Sequence, residues 1–503
     1  MIFTLLRIPG ADISLAPLDW IVLIAYASGM LFIGWFYSRK NKTEEDYLLG
    51  GRRMNPTAVG ISLFASLMST LSYLTYPGEM ILHGPVIFTG LLAFPLIYYV
   101  AGWWLIPRIM QMKVTSAYEI LERKLGLSVR MLATFMFLSL RLLWMATIIY
   151  VTVDIALFSV IHFDKNYVPV IGVLLTVITI IYTSMGGLKA VVVTDVIQSF
   201  IFLGGAVISV VVVCYHLGSF TSLFPSQWPE HWDTLRLGFD PLERTTLGNA
   251  VLVIFVWYIC TTGSDQMAVQ RYLATKDIHT ARKSFRVSLY SNVIAYILLA
   301  LVGLAMLAYF NNHSNLLVAG KSIQEQADTL FPRFILIALP PGVSGLIIAG
   351  LLAAAMSSMS SGLNSVSSVV SEDLIKRFRK KDSPVPDQLK QVKRLSYITG
   401  AVVMALSFFV GEVPGNLLDV IMKVVNLFVA PLFVLFFMAL FVPFATERGT
   451  FLGGIIAIFT AIAVAFYEAF GITVLWIMPA SLIVGILSGI LLSYLDGLVF
   501  KQK

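Results

Sequence analysis

Long apolar runs separated by short polar gaps make up most of this chain. They fall at 15–37, 57–83, 85–109, 130–161, 168–185, 188–216, 248–272, 283–310, 342–375, 392–411, 416–444, 449–470 and 474–499. A helix needs roughly 20 apolar residues to cross a bilayer, and most of these runs reach or exceed that length. They are continuous, with no alternation of apolar and polar positions, so they predict helices and not a barrel. The expectation is an all-α polytopic membrane protein of about 13 transmembrane helices. Runs longer than a bilayer is thick predict tilted or kinked helices.

Two runs are interrupted. The second carries Ser69-Thr70-Leu71-Ser72-Tyr73-Leu74-Thr75-Tyr76-Pro77-Gly78, and the seventh carries Thr261-Thr262-Gly263-Ser264-Asp265. Both stretches are poor in helix formers and rich in hydroxyls. Unwound backbone at membrane depth is tolerated only where it lines a cavity. Interruptions at matched places in two halves are the sequence mark of a transporter site built from inverted repeats. Five runs fall in each half if the first is an extra. Two ordinary kinked helices are the other reading.

Charge sets the expected orientation. With the gaps numbered alternately from an outer N-terminus, the inner ones hold 27 of the 35 Lys and Arg residues and the outer ones 6. Arg271 counts among the inner bases, while Arg7, Lys165, Arg236, Arg244, Lys321 and Arg333 lie outside. That asymmetry predicts N-out, C-in and an odd number of spans. The long loop 217–247 is expected outside, and the basic stretch 376–394 is an inner linker.

Composition excludes several classes. The chain is 58% hydrophobic and 13% charged, with a mean hydropathy of +0.85. The net charge of +7 is therefore a matter of topology and not a nucleic-acid footprint. No cleavable leader is expected, because the first apolar run is long and Arg39-Lys40 follow it. Cys214 and Cys260 both lie in apolar runs and imply no disulfide framework. The six histidines have no metal or triad spacing, so no enzyme is expected.

Two bases, Arg141 and Lys423, fall inside apolar runs, with Glu79, Asp154, Asp195, Asp265 and Asp419 as the acids to weigh beside them. Ionisable groups at such depth face a cavity or a partner. The run at 342–375 contains Ala354, Ser357, Ser358 and Ser361, which share one helix face. That face is either a packing surface for a close helix neighbour or a set of oxygen donors for a hard cation.

The order of several short motifs resembles the sodium:solute symporter family nearly end to end. They are Thr43-Glu44-Glu45-Asp46-Tyr47-Leu48-Leu49-Gly50-Gly51-Arg52, Ser62-Leu63-Phe64-Ala65-Ser66, Tyr118-Glu119-Ile120-Leu121-Glu122, the stretch Gly186-Gly187-Leu188 to Gln198, Val269-Gln270-Arg271-Tyr272-Leu273-Ala274, and the serine run. Each alone is weak; their order and spacing together are specific. The resemblance implies a LeuT-type core of two inverted five-helix repeats working by alternating access. The layout it implies is an extra helix and loop over 1–56, a first repeat over 57–216, a loop over 217–247, a second repeat over 248–444 and two further helices over 445–503. It implies Na+ as the coupled ion, bound at a common site by Ala65, Met68, Ala354, Ser357 and Ser358. A second sodium would take Asp195, Ser357, Ser360 and Ser361.

The resemblance also places a small organic solute between the two breaks. The candidate contacts are Ser69, Thr70, Ser72, Tyr73 and Thr75 from the first, and Tyr258, Thr261, Thr262 and Ser264 from the second. Positions where sodium–sugar members carry amide, acidic or lysine side chains hold Ser72, Leu91 and Asn292 here, so a simple hexose is not expected. Arg141 and Lys423 are candidates to hold a carboxylate; the alternative is structural pairing, Lys423 with Asp419 and Arg141 with another acid. The expected cargo is an anionic sugar acid or carboxylate, with a neutral sugar as the alternative and a membrane sensor as a different class. The partners are then sodium, the solute and the lipid bilayer, with no nucleic acid. The chain is expected to work as a monomer in the cell membrane, the inner membrane in a bacterium.

Overall fold

The computed structural model describes residues 15–153, 168–379, 387–410, 423, 425–467 and 469–500, and all the regular structure in them is helical. Asp154, Asp419 and the bases Arg7, Lys165, Lys380, Lys381, Lys501 and Lys503 lie outside the described residues. Among the described residues, ten helices are long and apolar enough to cross a membrane, or eleven when one bent pair counts as a single span. The sequence predicted thirteen. The runs 168–185 and 188–216 form two helices that meet at a kink at Gly187, and the described part of the run 416–444 includes the 13-residue helix Val429–Phe441.

The principal helices are α1 (Pro17–Ser38), α2 (Pro56–Leu67), α3 (Thr70–His83), α4 (Val86–Gln111), α5 (Leu127–Val153), α6 (Val168–Leu217), α7 (Leu247–Ser264) and α8 (Gln266–Leu273). They continue with α9 (Ile278–Asn312), α10 (Ala327–Ala338), α11 (Val343–Val369), α12 (Gln388–Val410), α13 (Val429–Phe441), α14 (Glu447–Tyr467) and α15 (Ile477–Phe500). Helix α11 is buried along almost its whole length, packed against α6, α1, α5 and α12. Its alanines and serines let those neighbours approach. Its start is held from α1: the buried Asp19 carboxylate accepts from Gly342 N at 2.7 Å, Gly345 N at 2.8 Å and Ser344 Oγ at 2.8 Å. A carboxylate at a helix N-terminus meets both the unpaired N–H groups and the positive end of the dipole.

Both predicted breaks exist, but each is shorter than its hydroxyl-rich stretch. Helix α2 ends at Leu67, Met68 and Ser69 are extended, and α3 starts at Thr70, bent from α2 by 65°. Helix α7 runs through Thr261–Ser264, and only Asp265 leaves helical geometry, at φ −81° and ψ 120°. Its side chain then caps α8 by accepting from Met267 N at 2.8 Å. Serine and threonine stay helical here by turning their hydroxyls onto carbonyls one turn back, as Ser264 does to Cys260.

Two of the distant motifs form one physical unit. Gly187, inside α6, sits at φ 59° and ψ −163°, a region reserved almost entirely for glycine. A Cβ there would stand 2.7 Å from the Tyr47 carbonyl oxygen. Asn41 Nδ2 donates to the Gly186 carbonyl at 2.7 Å and Tyr47 OH to the Ser184 carbonyl at 3.1 Å. Lys189 Nζ donates to Asp46 Oδ1 at 2.8 Å, and that bond holds the Asp46 carboxyl below the usual carboxylate range. At the far end of the chain, α14 and α15 touch backbone to backbone: a Cβ on Gly453 would lie 2.7 Å from Gly489 Cα.

Gly187→Ala combines a disfavoured backbone region with a clash against Tyr47. The expected loss is about 1–3 kcal/mol. It is read as a lower melting temperature of the detergent-purified protein, with Gly204→Ala, where a Cβ meets nothing within 4 Å, as the neutral control.

Candidate functional site

The first break opens onto two cavities. The larger, of about 130 Å³, is walled by α3, α4, α5, α7 and α9 and by Val425, Asn426, Leu475 and Met478. The smaller, of about 10 Å³, lies among Phe64, Ala65, Met68, Ala353, Ala354 and Ser357 and is closed by Gln198, Ser199 and Phe202. A space of that size suits a water or a bare monovalent ion. Met68, the first residue of the break, stands in the wall of both.

Four of the five residues expected at the common sodium site, Ala65, Met68, Ala354 and Ser357, line the small cavity. The fifth, Ser358, does not line it, but its Oγ is buried with no hydrogen-bond partner. Buried hydroxyls are normally satisfied, and this one is an oxygen donor with capacity to spare. The second group also assembles. Ser357 Oγ donates to Asp195 Oδ1 at 2.6 Å, and Ser361 lies in hydrogen-bond contact with Ser66 Oγ at 2.7 Å. Ser360 instead turns its hydroxyl to the Ser357 carbonyl at 3.0 Å.

The expected solute contacts divide. Ser72, Thr75 and Tyr258 line the larger cavity. Thr70 and Tyr73 do not: they donate to the carbonyls of Leu351 at 2.9 Å and Phe202 at 3.2 Å, pinning α3 to α11 and α6. Ser69 is buried with its hydroxyl unpartnered, and Thr261, Thr262 and Ser264 are buried on α7 away from the lining. Arg141 is bonded through Nη2 to Asp265, the residue that makes the second break. Lys423 is half-buried, three residues before Asn426, and is not part of the wall. No basic side chain among the described residues lines the larger cavity.

Sequence reasoning missed three groups. Arg271, counted among the inner bases, has no solvent exposure and lies beside Asp195. Ser62 and Ser66, one turn apart on α2, join the same network; their i, i+4 spacing in an apolar run was the available signal. Trp144 lines the larger cavity with its indole Nε1 unpartnered. It also stacks beneath the Arg141 guanidinium, 5.6 Å from ring centre to Cζ.

The end of α3 is held by charge. Arg244 bonds Glu79, which lines the larger cavity, and Asp233 at 2.9 Å. Trp232 covers Gly84 and donates to the Ile81 carbonyl at 3.2 Å. Asp328 of α10 lies against Gly78.

Comparison with known proteins decides the class. The family model described as "Sodium:solute symporter family" matches residues 47–457. The chain belongs to the sodium:solute symporter family. It is thus a multi-pass membrane protein and a Na+-coupled solute symporter, not an enzyme. Among members of the family, the sodium/sialic acid symporter SiaT of Proteus mirabilis is 30% identical over 455 residues, 89% of each chain. Human sodium-coupled monocarboxylate transporter 1 is 28% identical over 449 residues, 86% of this chain and 71% of that one. The solved outward-open, substrate-bound state of a Na+-coupled sialic acid symporter superposes with a TM-score of 0.83 at 26% identity, over 95% of this chain and 98% of that one. MHP1, a nucleobase-cation-symport-1 family transporter, superposes with a TM-score of 0.54 at 11% identity, over 89% and 92%. That likeness carries the fold alone, which is of the LeuT type.

Burial and the negative charge of Glu79 push the Asp328 carboxyl up to about 6 from its ordinary 3.8. The native state therefore holds that proton where the unfolded chain has lost it. Stability falls as pH rises from about 4 to about 6 and stays lower above. The melting temperature should be higher at pH 5 than at pH 7.5 on this account, and Asp328→Asn should shrink that difference.

Proposed function

We propose that this symporter carries a small carboxylate with an apolar body, driven by two sodium ions, through alternating access of two inverted repeats over 57–216 and 248–444. The single observation that carries the reading is Met68. It faces the small cavity proposed for sodium and the larger one proposed for the solute, so an ion held by its carbonyl bears on the solute's wall. Ala65, Ala354, Ser357 and Ser358 complete the common sodium site in this reading, and Asp195, Ser357, Ser360 and Ser361 form the second. Five uncharged oxygens suit a monovalent ion that must later leave. The N-terminus is outside and the C-terminus inside, in keeping with the charge asymmetry.

The lining supports the choice of solute. Phe88, Ile87, Val253, Trp257, Leu475 and Met478 offer apolar wall, and the hydroxyls of Tyr76 and Tyr296 are spent on one another at 2.6 Å. A polyhydroxylated sugar would leave many of its groups unpaired there, at a cost for each. A carboxylate needs only a few donors. The buried and unpartnered Thr75 Oγ1 and Trp144 Nε1 are two, and Ser72 brings in the first turn of α3. A half-helix N-terminus aimed into a transporter cavity favours an anion. Arg141 is held by Asp265 and so acts behind this wall, through Trp144.

The test is radiolabelled uptake into proteoliposomes, with lactate, an aromatic monocarboxylate, sialic acid and glucose offered in turn. Uptake of a monocarboxylate should follow an inward sodium gradient and fail with potassium or choline. Sodium-driven uptake of glucose or sialic acid with no monocarboxylate uptake overturns the choice of solute. Trp144→Phe keeps the ring and removes the N–H; the half-saturating solute concentration should rise about tenfold. Ser358→Ala should raise the half-saturating sodium concentration several-fold with little change in melting temperature. Equal loss of both would make that serine a packing residue only.

A further inference from the structure

The Asp195 carboxylate is fully buried, and its hydroxyl partners are on two other helices. Ser62 Oγ donates to Oδ2 at 2.5 Å and Ser357 Oγ to Oδ1 at 2.6 Å. Its charge partner is a cation of the chain itself. Arg271 Nη2 lies 3.6 Å from Oδ2, with no exposure of either side chain. That separation is an ion pair but longer than a hydrogen bond. Two other buried pairs among the described residues differ, since Arg141 and Arg130 bond directly to Asp265 and Asp373.

The guanidinium is held instead by the hydroxyls around the carboxylate. Nη2 donates to Ser361 Oγ, and Nε donates to Ser62 Oγ at 3.3 Å. Nη1 donates to the Met267 carbonyl of its own helix at 2.9 Å. Arg271 therefore engages Asp195 and Ser361, two of the oxygen donors assigned above to the second sodium. A monovalent ion bound by those oxygens and a guanidinium at this distance would be two like charges in a dry site. One must leave when the other arrives.

We propose that Arg271 is a tethered counter-cation that exchanges with sodium at the second ion site. With the site empty of sodium, the guanidinium neutralises Asp195 through the Ser62 and Ser361 hydroxyls. Sodium entering among Asp195, Ser357 and Ser361 takes over that charge and releases Arg271. One positive charge then faces the carboxylate at every stage, which a buried anion requires. Arg271 sits on α8, the half-helix that begins at the second break. Its release therefore frees α8 from α6 and α11, so ion binding is transmitted to the second break. Arg271 is a positioning residue in this scheme; it touches the ion's donors and not the solute. The proposal rests on the reading of Asp195 and Ser361 as sodium donors.

Arg271→Gln removes the competitor. Half-saturating sodium for uptake should fall at least threefold, while Asp195→Asn should raise it and lower the sodium-to-solute ratio from two to one. An unchanged or raised half-saturating sodium in folded Arg271→Gln overturns the exchange and leaves a static pair. Hydrogen exchange on the wild-type protein does not depend on the variant folding. Sodium added at constant ionic strength against choline should deprotect Gln266–Leu273 in the wild type and not in Asp195→Asn. No change in that segment also overturns the exchange. A wild-type ratio of one sodium per solute would instead show that the second-site reading fails, and the proposal with it.

Discussion

A carboxylate cannot stand ionised and alone among membrane helices, and Asp195 obliges four helices to come together. Its own helix, α6, supplies the charge. Helix α2 brings Ser62, α11 brings Ser357, and α8 brings Arg271. Two of these, α2 and α8, are the straight halves next to the two breaks. A single neutralisation problem therefore ties α6 and α11 to both interrupted helices. Pairs of this kind are weak sources of net stability, because desolvation consumes most of the attraction. Their use lies in specifying one arrangement and in allowing another when the charge balance changes.

The contacts form a continuous route. The larger cavity shares Met68 with the small one, the small one shares Ser357 with the Asp195 network, and that network ends on Arg271 beyond the second break. No step in it exceeds a hydrogen bond or a shared wall, apart from the 3.6 Å ion pair. Coupling between ion and solute in such a route needs no long-range mechanism. It requires only that the breaks, where backbone groups lack helical partners, be the parts free to rearrange.

Much of this was legible from residue order. The apolar runs marked the helices, the motif order marked the family, and four residues that the resemblance implied, Ala65, Met68, Ala354 and Ser357, line the small cavity. The errors have physical causes. Hydroxyl-rich stretches were read as unwound, yet Ser264 bonds to the Cys260 carbonyl and Thr261–Ser264 remain helical. Thr70 and Tyr73 pack outward from the cavity because helical geometry turns neighbours about 100° apart, which a list of polar residues near a break ignores. Arg271 was counted among the inner bases because it stands at the inner end of the run 248–272, where a base is expected to reach water. Only the distant Asp195, 76 positions away, gives it a reason to be inside.

The backbone contact between Gly453 and Gly489 has a mechanical meaning. Where side chains separate two helices, rotamer changes can absorb a slide or a twist. Where main chain meets main chain, there is nothing to yield, and the joint behaves like a dovetail that must be lifted apart before it can shift. Helices α14 and α15 are in that condition, and Met478 of α15 lines the larger cavity. The two shift as one body, so a displacement of that part of the cavity wall carries α14 with it.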